Sequence, residues 1–456
     1  MKKALLCAVW GSFFLWGCVS EPTAAGVQAK ANWKSWEKKE LHFKTGKNTT
    51  PADAEKKVAY FLNCVKTFAP YILEEFNAID RSMGWKAGSA ARVCVLGVDL
   101  KKTPPPHECT SWLVSPEITA SGQVLLHKNR DSSSRYLTAQ RVRVPGKYSW
   151  IGNSNFGSFG TTSGINEKAL AVVMNSGPRS TGESPMGMGT PMIARILLEQ
   201  CKTAGSAVKL LEKIVKAKAY CHGKSGSIWF FADPERAFVV EHDGLSFKSS
   251  EVKSGLAIRA NAWHFPEMIV HSKNNPAQIT GNARREYAVR DLLVNKVLGK
   301  KKKITVSDMF AASRIDKIPE DPKCYALCDK ATNVGSTFVI DREFPESLSY
   351  FVSTFGPPRH GLYIPVPLTL DDLPLCIRSG SWSETLFRRS KAKKLLDMKK
   401  VEAIESTMMK NHLAALEEAR AILRTGGVSA RKKAKAVMEK SFNANMASAQ
   451  KENALL

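Results

Sequence analysis

The chain has 456 residues, 43% of them hydrophobic and 24% charged, with 67 Lys or Arg against 42 Asp or Glu and a formal net charge of +25. That length supports one large domain with appendages, or two domains, and the composition excludes a disordered or collagen-like chain. The positive charge raises nucleic acid and anionic membranes as partners, yet between Arg388 and Leu456 sixteen Lys or Arg stand against seven Asp or Glu, so much of the excess belongs to one tail. No helix-turn-helix, zinc-finger or aromatic stacking motif accompanies it, which argues against nucleic acid.

Lys2 and Lys3 precede the apolar stretch Ala4 to Trp16, the layout of a secretory signal and too short to span a bilayer comfortably. Leu15-Trp16-Gly17-Cys18 resembles the lipobox of bacterial lipoproteins, which implies acylation at Cys18 and an exported, periplasmic or outer-membrane-anchored protein. Trp16 replaces the usual small residue, and an ordinary signal peptide with an incidental cysteine is the alternative. Residues 19–50 are polar and read as a tether. Export permits disulfides, but with Cys7, Cys18 and Cys109 assigned elsewhere seven of the ten cysteines remain, an odd number that cannot pair completely. Cys324 and Cys328 are expected to bridge or to be buried, and Cys221-His222 lacks the spacing of a metal site. Burial is the expectation for the remaining cysteines.

Pro51 opens a helical region in which Val58, Phe61, Leu62, Val65 and Phe68 recur at helical spacing, and Tyr71 to Ile79 continues it. Ala91 to Val98 reads as a buried strand, and the three prolines within Lys101 to His107 make an extended connector. Short β segments follow at Cys109–Ser115, Val124–Asp131, Gln140–Val144 and Ala169–Asn175. Thr190-Pro191 starts a helix through Cys201 with Thr190 as its cap, and Ser206–Lys216 forms another. Strands return at Ser227–Phe231, Ala237–Glu241 and Leu256–Asn261, a helix is expected around Arg285–Val297, and strands at Ser336–Ile340 and Leu348–Phe355 complete the body. Blocks of strands and blocks of helices predict packed sheets flanked by helices rather than a doubly wound sheet. From Leu386 onward the chain is helix-forming, with Leu395, Val401, Ile404, Met408, Leu413, Leu416 and Ile422 as an amphipathic stripe; packing on the body or a partner is expected of it.

The informative run is Cys109-Thr110-Ser111-Trp112, a Ser121-Gly122 turn, then Lys128-Asn129-Arg130-Asp131. A cysteine opening one strand and an acid closing its hairpin partner can lie near each other. This run resembles the start of the mature catalytic chain in the choloylglycine hydrolase, isopenicillin N acyltransferase and acid ceramidase group of N-terminal-nucleophile cysteine hydrolases. Gly164 to Leu170 ending at Asn175, Asn261 within Arg259-Ala260-Asn261-Ala262-Trp263-His264-Phe265, Arg285 within Asn282-Ala283-Arg284-Arg285, and Gly356-Pro357-Pro358 with Tyr363-Ile364-Pro365-Val366 fall in the family's order. Glu74 to Ile79 is similar to an acyltransferase-type precursor segment. The likeness spans about Tyr71 to Leu368, with Arg284 as the neighbouring register for the arginine and Lys128 standing where bile-salt hydrolases place an arginine.

The resemblance implies an α+β chain built as a four-layer αββα sandwich, with a helical precursor segment (51–108), a catalytic domain (109–385) and a basic helical extension (386–456) behind the signal (1–18) and tether. It implies self-cleavage of the Glu108–Cys109 bond, after which Cys109 carries both nucleophile and base: a free thiol is weakly ionised near neutral pH, and a new α-amine with a pKa of about 7.7 to 8 suits it. Asp131 would support that amine, Asn175 and Asn261 would donate to the oxyanion, Arg285 would fix the acid or a substrate group, and Lys128 would bind substrate. The expected function is hydrolysis of a linear non-peptide amide through an acyl-cysteine. Its rivals are acyl transfer through the same intermediate and a binding lipoprotein that has lost catalysis. No metal or cofactor is implied, the partner is a small-molecule amide, and contact with an anionic membrane would run through the Cys18 lipid and the basic tail. The sequence carries no signal for an oligomeric state, and Gly187-x-Gly189 lacks the third glycine of a dinucleotide loop.

Overall fold

In the computed structural model, which describes residues 50–96, 109–132, 137–155, 158–317, 327–328, 331–392 and 397–455, the N-terminal helices begin where the sequence places them. Thr50 accepts from the Asp53 amide, Asp53 accepts back from Thr50, and Pro51 sits in the first turn of α1 (Pro51–Phe68), a reciprocal cap that satisfies two donors otherwise left open. Helix α2 (Tyr71–Met83) stops on Gly84 in the left-handed conformation. The segment read as a strand at Ala91 to Val98 is instead helix α3 (Ser89–Leu96). The Asp80 carboxylate takes the Gly88 and Ala90 amides at 2.7 and 2.8 Å, fixing a helix start, and Ala90, Ala91 and Val93 then pack into one core with α1 and α2. A short apolar run leaves strand and helix equally open, and the cap decides. Glu108 and the connector before it, Cys18, the signal and the tether lie outside the described residues.

The strands in chain order are β1 (Thr110–Val114), β2 (Val124–Asp131), β3 (Leu137–Val142), β4 (Trp150–Asn155), β5 (Ser163–Asn166), β6 (Ala171–Ser184), the two-residue β7 (Met188–Gly189) and β8 (Tyr220–Cys221), β9 (Gly223–Ala232), β10 (Ala237–His242), β11 (Phe247–Glu251), β12 (Leu256–Arg259), β13 (Thr332–Ile340), β14 (Tyr350–Ser353) and β15 (Ile364–Pro367). Among the described residues they form two large antiparallel sheets, ordered β12-β1-β2-β13-β14-β15 and β11-β10-β9-β6-β5-β4-β3. Leu113, Leu126 and Phe338 of the first sheet share a cluster with Ile151, Val173 and Phe230 of the second, so the two sheets pack face to face. Alternation sends the intervening side chains outward. Val172, Trp229 and Val240 face α4 (Thr190–Gln200), α5 (Ala204–Lys216) and the N-terminal helices. Trp112, Val339 and Val352 face α6 (Pro276–Arg290), α7 (Val306–Ser313) and the C-terminal pair α8 (Met398–Arg424) and α9 (Gly427–Leu455). The expected α+β architecture of two antiparallel sheets with helices is thus present.

Local differences have local causes. Strand β6 runs nine residues past the expected Asn175, through register shifts at Ser176/Arg179 and Arg179/Ser184 that accommodate Gly177-Pro178. Helix α6 starts at Pro276, capped by Asn275, well before the expected Arg285, and widens into π turns over Asp291–Val297. Gly189, not Thr190, caps α4, since Thr190 already lies in its first turn. The expected strand Leu348–Phe355 is divided: Leu348 ends a short helix and only Tyr350–Ser353 pairs. In the C-terminal stripe Val401, Met408 and Leu416 are buried, whereas Leu413 is 48% exposed because it lies off the packed face. Cys64, Cys109, Cys201 and Cys328 are free and buried, while Cys94, Cys221 and Cys376 are free but only partly buried, Cys221 because it sits on the two-residue β8. No helix among the described residues is long and apolar enough to cross a membrane.

Candidate active site

The β1–β2 register pairs Thr110 with Asn129, Ser111 with Lys128 and Leu113 with Leu126. Leu113 and Leu126 face the core between the sheets, so period-two alternation puts Ser111 and Cys109 on that side together with Lys128 and Arg130. Thr110 and Asn129 point the other way, toward the helices. The hairpin therefore carries a cysteine and two cations to one end of the inter-sheet space.

Cys109 is 5% exposed. Its carbonyl oxygen accepts from Arg285 Nη1 at 2.9 Å, and its thiol lies close enough to Lys128 to bear on that ammonium electrostatically. Lys128 donates to the Met174 carbonyl and, at 3.0 Å, to Asn175 Oδ1. Burial holds the Lys128 ammonium below the usual lysine range; the neighbouring Arg130 adds to that shift, while Cys109 and Asp131 oppose it. Asp131 closes β2 opposite Thr332, is buried, and bears electrostatically on both Lys128 and Arg130.

The two asparagines are oriented by their partners. Asn175 Oδ1 accepts from Ser111 Oγ at 2.8 Å as well as from Lys128, and its Nδ2 donates to the Arg259 and Ala260 carbonyls at 3.1 and 3.4 Å. Both of its N–H groups are thus engaged, and an oxyanion has no claim on them without a rearrangement. Asn261 differs. Its Nδ2 has one described acceptor, the Ser176 carbonyl at 2.7 Å, and its Oδ1 accepts from Arg285 Nη2 at 3.0 Å, so its second N–H is available.

Arg285, 1% exposed, is the buried one of the two candidate arginines, with Arg284 half-buried on another face of α6. Its described bonds run to the Cys109 carbonyl, Thr110 Oγ1 at 2.9 Å, Asn261 Oδ1 and, at 2.5 Å, Asn282 Oδ1. It fastens the start of β1 to the Asn261 loop. Behind the hairpin, Asn129 donates to the Ser313 and Leu327 carbonyls and accepts from Ser313 Oγ at 2.6 Å. Tyr363 Oη reaches Ser313 at 2.5 Å across Gly335, where an added Cβ would stand 2.0 Å from that hydroxyl. Glycine there lets the tyrosine brace the site. Asn261 and Arg285 also form one wall of a cavity of about 600 Å³ whose polar lining includes Ser176, Arg179, His222 and Gln278.

Cys109, Lys128, Asn175, Asn261 and Arg285 are therefore brought together, with Asp131 at the hairpin's end. Ser111, Asn282 and Arg130 are part of the same arrangement and were not anticipated. Period-two alternation from Lys128 points to Arg130, and the three-residue helical spacing from Arg285 points to Asn282.

A family model described as acyl-coenzyme A:6-aminopenicillanic acid acyl-transferase matches residues 119–286. That range contains Lys128, Asp131, Asn175, Asn261 and Arg285 and begins downstream of Cys109. No curated protein sequence matches the chain. Among solved structures, a variant of conjugated bile acid hydrolase from Clostridium perfringens aligns with a TM-score of 0.40 at 12% identity, covering 57% of this chain and 92% of that one. An N-acylethanolamine-hydrolyzing acid amidase ortholog from Caenorhabditis elegans aligns with a TM-score of 0.33 at 14% identity, covering 51% and 92%. The match over residues 119–286 agrees with the resemblance read from the sequence: over that stretch the chain is similar to the acyl-coenzyme A:6-aminopenicillanic acid acyl-transferase family.

Proposed function

We propose that the chain is an autoprocessed cysteine amidohydrolase on a four-layer αββα sandwich, with Cys109 attacking a linear, non-peptide amide. The observation that carries this reading is the convergence of Cys109, Lys128, Asn261 and Arg285 at one end of the inter-sheet space. In the precursor the Cys109 thiol attacks the Glu108 carbonyl, the peptide nitrogen leaves as the α-amine of Cys109, and water hydrolyses the thioester. In the mature enzyme that amine takes the thiol proton as sulfur adds to the substrate carbonyl and returns it to the leaving amine; water then releases the acid from the acyl-cysteine. Asp131 supports the charged amine, and the open N–H of Asn261 supplies oxyanion stabilisation, while Asn175 positions Lys128 and Ser111. Asn261→Ala should lower turnover about 100- to 1,000-fold.

Intact-mass analysis and N-terminal sequencing of purified protein test the reading. Two fragments are expected, the larger beginning at Cys109, and Cys109→Ala should leave the chain whole. An active, permanently uncut chain would refute it. Acyl transfer is the second reading, favoured by the activity for which the matching family is named; formation of an N-acyl product from a coenzyme A thioester and an amine, faster than hydrolysis, would establish it. The same proposal keeps the chain an exported lipoprotein, for which palmitate labelling lost in Cys18→Ser is the check.

A further inference from the structure

The proposed chemistry makes no use of Arg130, and its setting demands an account. The side chain is 6% exposed, lies on the Cys109 side of the hairpin, and its Nη1 has no hydrogen-bond partner among the described residues. The register that sets Thr110 opposite Asn129 carries on to set Arg130 across from Cys109. A guanidinium stays charged in proteins, and a buried cation with an unmet donor costs stability unless something completes it. Asp131 balances part of the charge and leaves that donor open.

A second observation points the same way. The cavity beside Asn261 and Arg285, which neither Arg130 nor Cys109 itself lines, presents Ser176, Asn274, Gln278 and a further cation, Arg179, with no carboxylate and no Phe, Tyr or Trp among its lining residues. A small polar anion would satisfy them, and a carboxylate matches the forked donors of a guanidinium.

We propose that Arg130 binds an anionic group on the substrate, so that the enzyme acts on small, polar amides bearing a carboxylate rather than on amides of apolar acyl chains. The inference rests on the amidohydrolase reading and narrows its substrate class.

Two pairs of probes test it on the processed enzyme. Glutaryl-p-nitroanilide against valeryl-p-nitroanilide places the charge on the acyl side, and valeryl-glycine against valeryl-glycinamide places it on the amine side. In at least one pair the anionic member should show a kcat/KM tenfold or more above its neutral partner. Arg130→Met should collapse that preference and Arg130→Lys should restore part of it. Neutral members preferred in both pairs, or a preference that survives Arg130→Met, would overturn the proposal. A measurement independent of turnover, and of whether the variant reaches full activity, is the rate at which Cys109 is alkylated by iodoacetate relative to iodoacetamide, followed on its own peptide by mass spectrometry. The wild-type ratio should exceed that of the partly buried Cys94, Cys221 and Cys376 tenfold, and an equal ratio sinks the inference. If the chain is neither cut before Cys109 nor active on any of the four amides, the amidohydrolase reading has failed; the alkylation ratio then still decides the anion site by itself.

Discussion

The N-terminal and the C-terminal helices are fastened to the sheets by the same device and finished differently. In each, a buried carboxylate from a helix meets a buried arginine of the body. Glu75 of α2 takes both terminal nitrogens of Arg195 on α4, while Arg195 Nε holds Glu199 at 2.8 Å, Phe159 supplies a carbonyl, and Tyr71 and Trp150 donate to Glu199. Glu405 of α8 takes Arg314 through bonds of 2.8 and 2.6 Å, and Arg314 also reaches the Pro358 and Gly361 carbonyls. Beside the second dock, however, His412 is fully buried with neither ring nitrogen hydrogen-bonded among the described residues, and Asn445 Oδ1 is likewise unmet. One attachment is polar and complete. The other is polar with open donors and acceptors, and so should respond to protons.

The largest effect that would break this comparison is at the first dock. In the uncut Cys109→Ala chain, Glu75→Ala leaves Arg195 buried with half its partners gone and should cost about 3 to 5 kcal/mol in chemical denaturation. Glu405→Ala should fall at the lower end, about 3 kcal/mol, because the Arg314 side chain is 8% exposed against 2% for Arg195, so water can reach the guanidinium left behind. Equal losses would erase the distinction.

A smaller effect sharpens it. Burial pushes His127, His242 and His412 down to about 3 from 6.5. Each folded-state value lies below its unfolded one, so the unfolded chain gains protons first. Stability should be unaffected above pH 6.5 and decline as pH falls from there toward 3, by at most about 1.4 kcal/mol per pH unit for each histidine. His412→Phe keeps the aromatic contact with Tyr350, whose ring centre lies 4.3 Å away, and should remove one proton's share of that slope. Denaturation midpoints between pH 7 and pH 4 measure it, and an unchanged slope refutes the role given to His412. The smallest effect is the control: Glu384→Ala breaks an exposed pair with Arg388 and should change stability by no more than about 0.5 kcal/mol.

What was readable in the sequence was what depends on local pattern. Period-two alternation and turn residues placed the β1–β2 hairpin, with β2 running from Val124 to Asp131 as expected, and that hairpin alone seats Lys128 beside Cys109. Where tertiary partners decide, local pattern misleads. Asp80 turns an apolar run into α3, and Gly177-Pro178 bends β6 without ending it. The asparagines show the same limit at finer scale: their positions follow from motif order, but the direction of each amide is set by the Arg259, Ala260 and Ser176 carbonyls, which no spacing rule predicts. Arg130 lies within the motif, yet nothing in its spacing distinguishes it from the solvated cation that a strand ordinarily carries.

The irregular stretch of β6 has an outcome for how such a protein changes over time. Asn175 stands before the first register shift and Arg179 at it, so the regular ladder that fixes the asparagine runs out at Ser176, where the cavity wall of Ser176 to Arg179 begins. An insertion or loss of a residue between them would re-aim Arg179 while the pairing of Asn175 with Ile228 stayed as it is. Selectivity at this wall can therefore drift through small length changes while the groups around Cys109 keep their places.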